Sequence, residues 1–220
     1  IMACVMSYRD PFVLPTTPDA RTKALRAKTR LVGNSNSHQL AILQAVREWQ
    51  SAKSKHSYCN ANYLSASTLQ MIHSMSKQAS SEVQRFGFTF DNTNAGQLSL
   101  LLCVLCAGLY PNVVSSFSVS CTIPQCLLIM LVCVYAHQVQ RRAGAKNYST
   151  VENRKCKFPM SSILSQKSVN PSVAVKNEWM VFAEMTRTPA FFVMHGGSPV
   201  CTPWALLLLC GKSGRVSRAK

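Results

Sequence analysis

Acidic residues are scarce in this 220-residue chain, which has 8 Asp and Glu residues against 24 Lys and Arg residues and a formal net charge of +16. No two of the carboxylates lie close enough in sequence to predict an acid–base pair or a magnesium site, and this disfavours a self-contained hydrolase. Because so large a cationic excess opposes folding unless a partner uses it, the composition favours a polyanionic partner, most simply a nucleic acid.

Metal-ligand spacing is also lacking. Ten cysteines are present, but Cys103 and Cys106 lie in an apolar helical stretch, and Cys121 and Cys126 have no neighbouring histidine. A zinc site needs a second pair of ligands at short spacing, so we expect no metal site and buried, reduced thiols instead. Without a signal-peptide pattern, such thiols indicate a nuclear or cytoplasmic, reducing compartment. The five histidines have no evident partner in the sequence, so no catalytic residue is predicted.

Hydrophobic periodicity predicts a small helical bundle over residues 1–113. Ser37 is suited to cap a helix that runs to about residue 53, and Ser65 or Ser67 a second helix that Gly87 ends. A third helix is predicted roughly over residues 95–109. The apolar face expected to point inward on the second helix comprises Leu69, Ile72, Met75, Ala79 and Val83.

From residue 146 onward the residue pattern changes from helical periodicity to short stretches typical of strands. Two stretches rich in β-branched and aromatic residues, 179–184 and 190–194, predict strands joined by a turn, and Ile163 and Val169 are assigned to weaker strands. A capped, proline-initiated apolar stretch predicts a terminal helix over residues 202–210. The predicted fold class is therefore α+β: a helical bundle, then a β-barrel of OB type over residues 141–211, and a basic tail over 212–220.

Several sequence motifs resemble one family in their order and spacing. They are SYRDPFVLP at 7–15, SHQLAIL at 37–43 followed by Trp49, LCVLCAGLYPNV at 102–113, SVN at 168–170, EWMVFAEMTRT at 178–188 and VCTPWALLLLCG at 200–211. Together they are similar to the region after the motor domains of DEAH/RHA-type RNA helicases. There, a DPF segment leads into a helical ratchet domain and LCAGLYPNV leads out of it into an OB-fold. His38 and Gln39 stand where the family has Asp and His, and Ser165 and Gln166 where it has His and Pro.

The resemblance implies that this chain is one part of a larger, ATP-driven enzyme. In that family two RecA-like domains hydrolyse ATP with Mg²⁺, while the ratchet domain and OB-fold pack over them and close the RNA channel. The OB-fold touches the RNA backbone and in some members receives an activator protein. This chain has no G-x-x-x-x-G-K-[ST] loop and no Asp-Glu-x-His motif. We therefore expect it to bind no cofactor and to be inactive as an ATPase alone.

Residues 114–140 have no counterpart in the family pattern. One interpretation is a genuine helical insertion, which would disrupt the barrel. Another is translated intron sequence, since Val codons begin with GT, Gln can be encoded by CAG, and the segment begins with Val114 and ends with Gln140. A third is a membrane span, which Pro124, Gln125 and four serines disfavour. Sequencing spliced transcripts would separate these interpretations.

The predicted function is that of an RNA-binding accessory region of such a helicase, with single-stranded or structured RNA and the RecA-like domains as partners. Basic side chains would contact phosphates without reading bases. Three polar residues are added by their motif positions. The candidate RNA-binding residues are Arg21, Lys23, Arg26, Lys28, Lys146, Arg154, Lys155, Lys157, Lys167, Ser168, Asn170, Arg187 and Thr188. Trp179, Phe191 and Phe192 either stack on bases or pack in the core.

Two alternatives come from other functional classes. One is a protein-interaction module that docks on a helicase motor and touches RNA little; salt-dependent binding of single-stranded RNA separates it from the first interpretation. The other is a membrane-anchored basic protein, which would partition into detergent.

Overall fold

The computed structural model describes residues 1–109, 112–116, 139–141, 148–150, 154–159, 161–165 and 179–199. The predictions made for Lys146, Lys167, Ser168, Asn170 and Val169 lie outside these residues. So do those for the terminal helix 202–210, the tail 212–220 and most of the unmatched segment 114–140.

Six α-helices occur within the described residues, all in the first half of the chain. They are α1 Met2–Ser7, α2 Pro18–Val32, α3 His38–Ser51, α4 Lys55–Asn62, α5 Ala66–Arg85 and α6 Leu98–Leu109. The three helices predicted from periodicity are α3, α5 and α6. The hydroxyls of Ser37 and Ser65 accept hydrogen bonds from the backbone N–H groups of Leu40 and Thr68, each at 3.3 Å, which confirms both predicted caps.

The helical core forms around α3. Ala41, Ala45 and Val46 are fully buried, and Leu69 and Ile72 of α5 are packed in the same cluster. The inward stripe predicted for α5 ends earlier than expected, because Ala79 is exposed and Val83 is 37% exposed. At 20 residues, α5 is longer than α3 and α4, which pack against it. Its C-terminal turns therefore have less to pack on.

Eight short strands make up one sheet in the order β6-β7-β4-β3-β2-β1-β5-β8. The strands are β1 Val113–Ser116, β2 Val139–Arg141, β3 Tyr148–Thr150, β4 Lys155–Lys157, β5 Trp179–Val181, β6 Glu184–Arg187, β7 Phe192–His195 and β8 Ser198–Pro199. The strand predicted at 190–194 corresponds to β7, whereas Phe182 and Ala183 divide the strand predicted at 179–184 into β5 and the start of β6. The strand assigned to Ile163 is wrong, because Ile163–Ser165 form a 3₁₀ turn whose isoleucine packs into the helical core.

Strands β5 to β8 form one bent hairpin, with β5 and β6 in one arm and β7 and β8 in the other. Only Phe182 and Ala183 separate β5 from β6, and only Gly196 and Gly197 separate β7 from β8. The β6–β7 pairing therefore continues as the β5–β8 pairing. Since β5 pairs with β1 and β7 with β4, the pairings trace a closed circuit of six chain segments around a core that includes Val114, Met180 and Met194.

Helix α6 joins the two halves. Leu105, Cys106 and Leu109 are buried against Val113 and Val181 of the sheet, and the same cluster contains Leu40 and Leu43 of α3. The helix predicted to lead from the bundle into the barrel thus packs against both. Among the described residues, no helix is both long and apolar enough to cross a membrane.

Candidate nucleic-acid interface

Helix α2 carries the first group of predicted basic residues. Pro18 lies in the first turn of α2, where backbone N–H groups have no partner within the helix, so the N–H that proline lacks costs no hydrogen bond. Arg21, Lys23 and Arg26 are exposed. The Arg21 Nε atom donates to the carbonyl oxygen of Pro15 at 3.4 Å, so this guanidinium also steadies the entry to the helix. All three side chains lie where a phosphate backbone could contact them.

Lys28 differs from its neighbours on α2, because it is only 5% exposed. Its Nζ atom donates to the carbonyl oxygen of Ser161 at 3.2 Å and lies 4.7 Å from the ring centroid of Phe12. Burial lowers the pKa of the Lys28 ammonium group, and the nearby carboxylate of Asp10 offsets part of that effect. Lys28 therefore joins the helical part to the barrel part and is not part of the exposed basic surface.

Asp10 forms an ion pair that sequence spacing did not reveal. Its Oδ2 atom lies 3.3 Å from Nε2 of His38, and its Oδ1 atom accepts from the backbone N–H of Phe12 at 3.0 Å. Burial acts to raise the pKa of Asp10, but the hydrogen bond and charge of His38, with the charge of Lys28, outweigh it and lower the pKa. This pair connects the DPF segment to the start of α3.

Gln39 anchors the start of α3 to the barrel. Its amide nitrogen donates to the carbonyl oxygen of Gly196, and its amide oxygen accepts from the hydroxyl of Ser198. The Ser198 hydroxyl also lies 2.6 Å from that of Ser37, and the backbone N–H of His38 donates to Gly197 at 3.2 Å. Positions 38 and 39, two of the four at which this chain departs from the family motifs, thus both take part in the contact between its halves.

A cleft of about 570 Å³ lies between the helical part and the barrel. Its charged and titratable lining includes both signs, from both halves of the chain. Those residues are Tyr8, Arg9, Asp10, Lys28, His38, Glu184 and His195. Because the carboxylates of Asp10 and Glu184 stand among its cations, this cleft is less suited to a polyanion than the exposed basic residues are.

Strand β4 carries basic residues on the exposed face of the barrel. Lys155 and Lys157 are exposed and Cys156 is fully buried, the alternation expected of a strand with one face in the core. Its partner β7 places Phe192 opposite Cys156 and Val193 opposite Lys157. The Lys157 Nζ atom lies 3.4 Å from the ring centroid of Phe191, a cation–π contact. The outer face therefore combines charge with an aromatic ring.

Arg154 and Arg187 are also exposed, but they lie next to Phe192 and not next to Phe191. The Arg154 guanidinium carbon lies 5.7 Å from the ring centroid of Phe192, a residue that packs against the barrel core. Arg187 is exposed and pairs with Phe192 across the β6–β7 hairpin. Phe192 thus packs in the core as the alternative interpretation held, whereas the half-buried Phe191 lies beneath the Lys157 ammonium group.

Thr188 shapes the turn of the hairpin. Its backbone N–H donates to the carbonyl oxygen of Phe191 at 2.9 Å, and its hydroxyl accepts from the backbone N–H of Phe191 at 3.2 Å. These bonds fix the aromatic residue beside β4. Thr188 accordingly has a structural role, whatever else it contacts.

The predicted basic residues therefore fall into two exposed groups, on α2 and on β4 with the β6–β7 hairpin. Sequence reasoning missed the Asp10–His38 pair and the Gln39 network, since the partners are far apart in the chain and no motif relates them. His73 and His195 likewise contact Gln50 and Thr186, at 2.8 Å and 2.9 Å. Over the described ranges, no three His, Cys, Asp or Glu side chains form a group that could hold a metal ion.

Comparisons with known proteins locate these features in a family. A model described as an oligonucleotide/oligosaccharide-binding (OB)-fold matches residues 101–213. The ATP-dependent DNA/RNA helicase DHX36 of Rattus norvegicus is 33% identical over 129 residues, covering 51% of this chain and 12% of that protein. The DExH-box ATP-dependent RNA helicase DExH6 of Arabidopsis thaliana is 32% identical over 122 residues, covering 51% and 9%.

A third relative is the putative ATP-dependent RNA helicase DHX57 of Mus musculus. It is 32% identical over 143 residues, which cover 51% of this chain and 10% of that protein. The chain thus spans about a tenth of the length of the curated relatives it matches.

Proposed function

The chain belongs to the oligonucleotide/oligosaccharide-binding (OB)-fold family and is homologous to DExH-box RNA helicases, and from this we propose that it is the RNA-binding accessory region of an ATP-dependent RNA helicase. The observation that carries the proposal is the exposed face of β4. There Lys155 and Lys157 adjoin Phe191, so that cations for phosphates lie next to an aromatic ring. Single-stranded nucleic acids are bound by this combination of charge and stacking.

In this proposal the helical bundle and barrel lie over RecA-like motor domains and close the RNA channel. ATP and Mg²⁺ are bound by those domains, and this chain alone hydrolyses no ATP. The exposed cations of α2, among them Lys23 and Arg26, extend the contact with phosphates. Because such contacts release counterions, binding weakens steeply as salt rises.

Titration of a fluorescein-labelled oligo(U) RNA with the whole chain tests the proposal, with anisotropy read from about 50 to about 200 mM salt. Lys155→Gln with Lys157→Gln should weaken binding and reduce the salt slope by about 1.4, about 0.7 for each lost phosphate contact on a single strand. The matched control is Lys53→Gln with Lys77→Gln, which removes the same charge from exposed positions outside β4. The proposal fails if the chain binds no RNA at low salt, or if both pairs have equal effects.

A second candidate function is docking on a protein, and exposed aromatic residues after α5 favour it. Phe86, Phe88 and Phe90 are 78%, 67% and 52% exposed. Large apolar side chains this open to solvent often mark a contact surface. If docking is the main role, substitution of these three residues by Ser abolishes association with separately expressed motor domains of a DExH-box helicase. RNA affinity should be weak, and unchanged by the substitutions.

A further inference from the structure

Strands β1 and β2 lie side by side in parallel. Val114 is opposite Val139, Ser115 opposite Gln140, and Ser116 opposite Arg141. The edge of β1 that faces away from β2 pairs with β5, and the edge of β2 that faces away from β1 pairs with β3. Two strand segments therefore lie between β5 and β3, and each of them forms the backbone hydrogen bonds to one of these two strands.

One segment is surplus to the family's architecture. The circuit of pairings contains six chain segments, whereas an OB-fold barrel has five strands. Merging β1 with β2 would remove one and leave a strand with β5 on one edge and β3 on the other. Both pairings already exist, at Val114 with Met180 and at Val139 with Thr150.

The register also preserves the core under such a merger. Val114 is fully buried among barrel residues that include Met180 and Met194. If residues 114–138 are absent, Val139 follows Val113 directly and takes the place of Val114. The buried position keeps its valine, and the alternation of faces along the strand is unchanged.

We propose that Val113–Ser116 and Val139–Arg141 are two versions of one barrel strand, and that the chain without residues 114–138 forms the five-stranded barrel. The interposed segment thus begins at Val114 and ends at Gln138, two residues before the boundary expected from codon pattern. The proposal does not depend on RNA binding, because it concerns strand pairing and is read out by folding.

Two deletions differing by one residue test it. Removal of 114–138 keeps the register, whereas removal of 114–139 puts Gln140 at the buried position and turns every following side chain of the strand to the opposite face. We expect the first variant to melt cooperatively and at least about 4 °C higher than the second. Its backbone nuclear Overhauser effects should place Val139 next to both Met180 and Thr150.

In the chain that retains residues 114–138, Val139 should show the contact to Thr150 and not the contact to Met180. Equal melting temperatures for the two deletions, loss of strand signal in the in-register variant, or absence of the contact between Val139 and Met180 in it would each overturn the proposal. RNA titration of the in-register variant separately tests the proposed function, since a folded barrel that binds no RNA would refute only the latter.

Discussion

The ammonium group of Lys28 donates to the carbonyl oxygen of Ser161 at 3.2 Å, and this bond links α2 to a segment 133 residues further along the chain. The four other basic residues of α2, namely Arg21, Lys23, Arg26 and Arg30, are exposed. One helix thus supplies both an exposed cationic surface and a buried cation that holds the two halves together. The two roles are separable by mutation.

Lys28→Ala should lower the free energy of unfolding by about 1–3 kcal/mol, because it leaves the Ser161 carbonyl without this donor and removes the ammonium group next to the Phe12 ring. Lys23→Ala, at an exposed position of the same helix, should change it by less than about 0.5 kcal/mol. Urea denaturation measures both. A smaller effect at position 28 than at position 23 would contradict the assignment of Lys28 to the interface.

Asp10 should make the free energy of unfolding decrease at acidic pH. Its pKa is lowered in the folded state from the ordinary value of 3.8, so its contribution is present above that value and is lost as pH falls through the folded pKa. Asp10→Asn should therefore flatten the loss of stability on the acid side. His38→Gln should flatten it too, because it removes the charge that favours the carboxylate. Urea midpoints measured from pH 6 down to pH 3 test this prediction. If they fall as steeply in both variants as in the parent, Asp10 does not cause the loss of stability in acid.

Tyr58 should make the free energy of unfolding decrease at alkaline pH. Its hydroxyl donates to Oε2 of Glu48 at 2.9 Å, and burial together with this carboxylate raises the pKa of the phenol well above its usual value of 10.0. The folded chain then retains a proton that the unfolded chain loses, so stability falls as pH rises above 10. In Tyr58→Phe this part of the decline should be absent. Thermal melts over the alkaline range test it, and an unchanged decline would contradict it.

Gly197 lies where the barrel hairpin passes close to its core. A Cβ atom there would lie 2.5 Å from Cδ1 of Leu164 and 2.6 Å from Cε1 of Phe158. Gly197→Ala should therefore cost about 1–3 kcal/mol through overpacking. At Gly96 nothing lies within 4 Å of such an atom, so Gly96→Ala is the matched control and should change stability by less than about 0.5 kcal/mol. Equal effects of the two substitutions on the melting temperature would show that the hairpin can shift.

Local features of the fold were predictable because their causes are local. Ser37 and Ser65 cap helices through bonds to residues three positions later, and the strands around Met180 and Val193 follow from runs of β-branched and aromatic residues. Helix α1 and helix α4 were not predicted, since six and eight residues give too little periodicity to detect. Ile163 was misassigned because its burial comes from the helical core rather than from strand neighbours.

The candidate interface was predictable only in part. The abundance of Lys and Arg indicated an anionic partner, and the exposure of Lys155 and Lys157 agrees with the alternation along β4. Nothing in the sequence separated Lys28 from Lys23, because burial depends on what packs over a side chain. The place of Phe191 under the Lys157 ammonium group likewise depends on pairing between β4 and β7, which are far apart in the chain.

The sequence by itself determined the charge, the family motifs, helices α3, α5 and α6, and the point after Val113 where the family pattern breaks, since these rest on composition, order and short-range periodicity. Only the tertiary structure decided which cations face solvent, how Asp10 meets His38, and how Val114 stands opposite Val139. Those relationships arise when distant segments pack together, and the free energy that selects them comes from burial and hydrogen bonds between the segments.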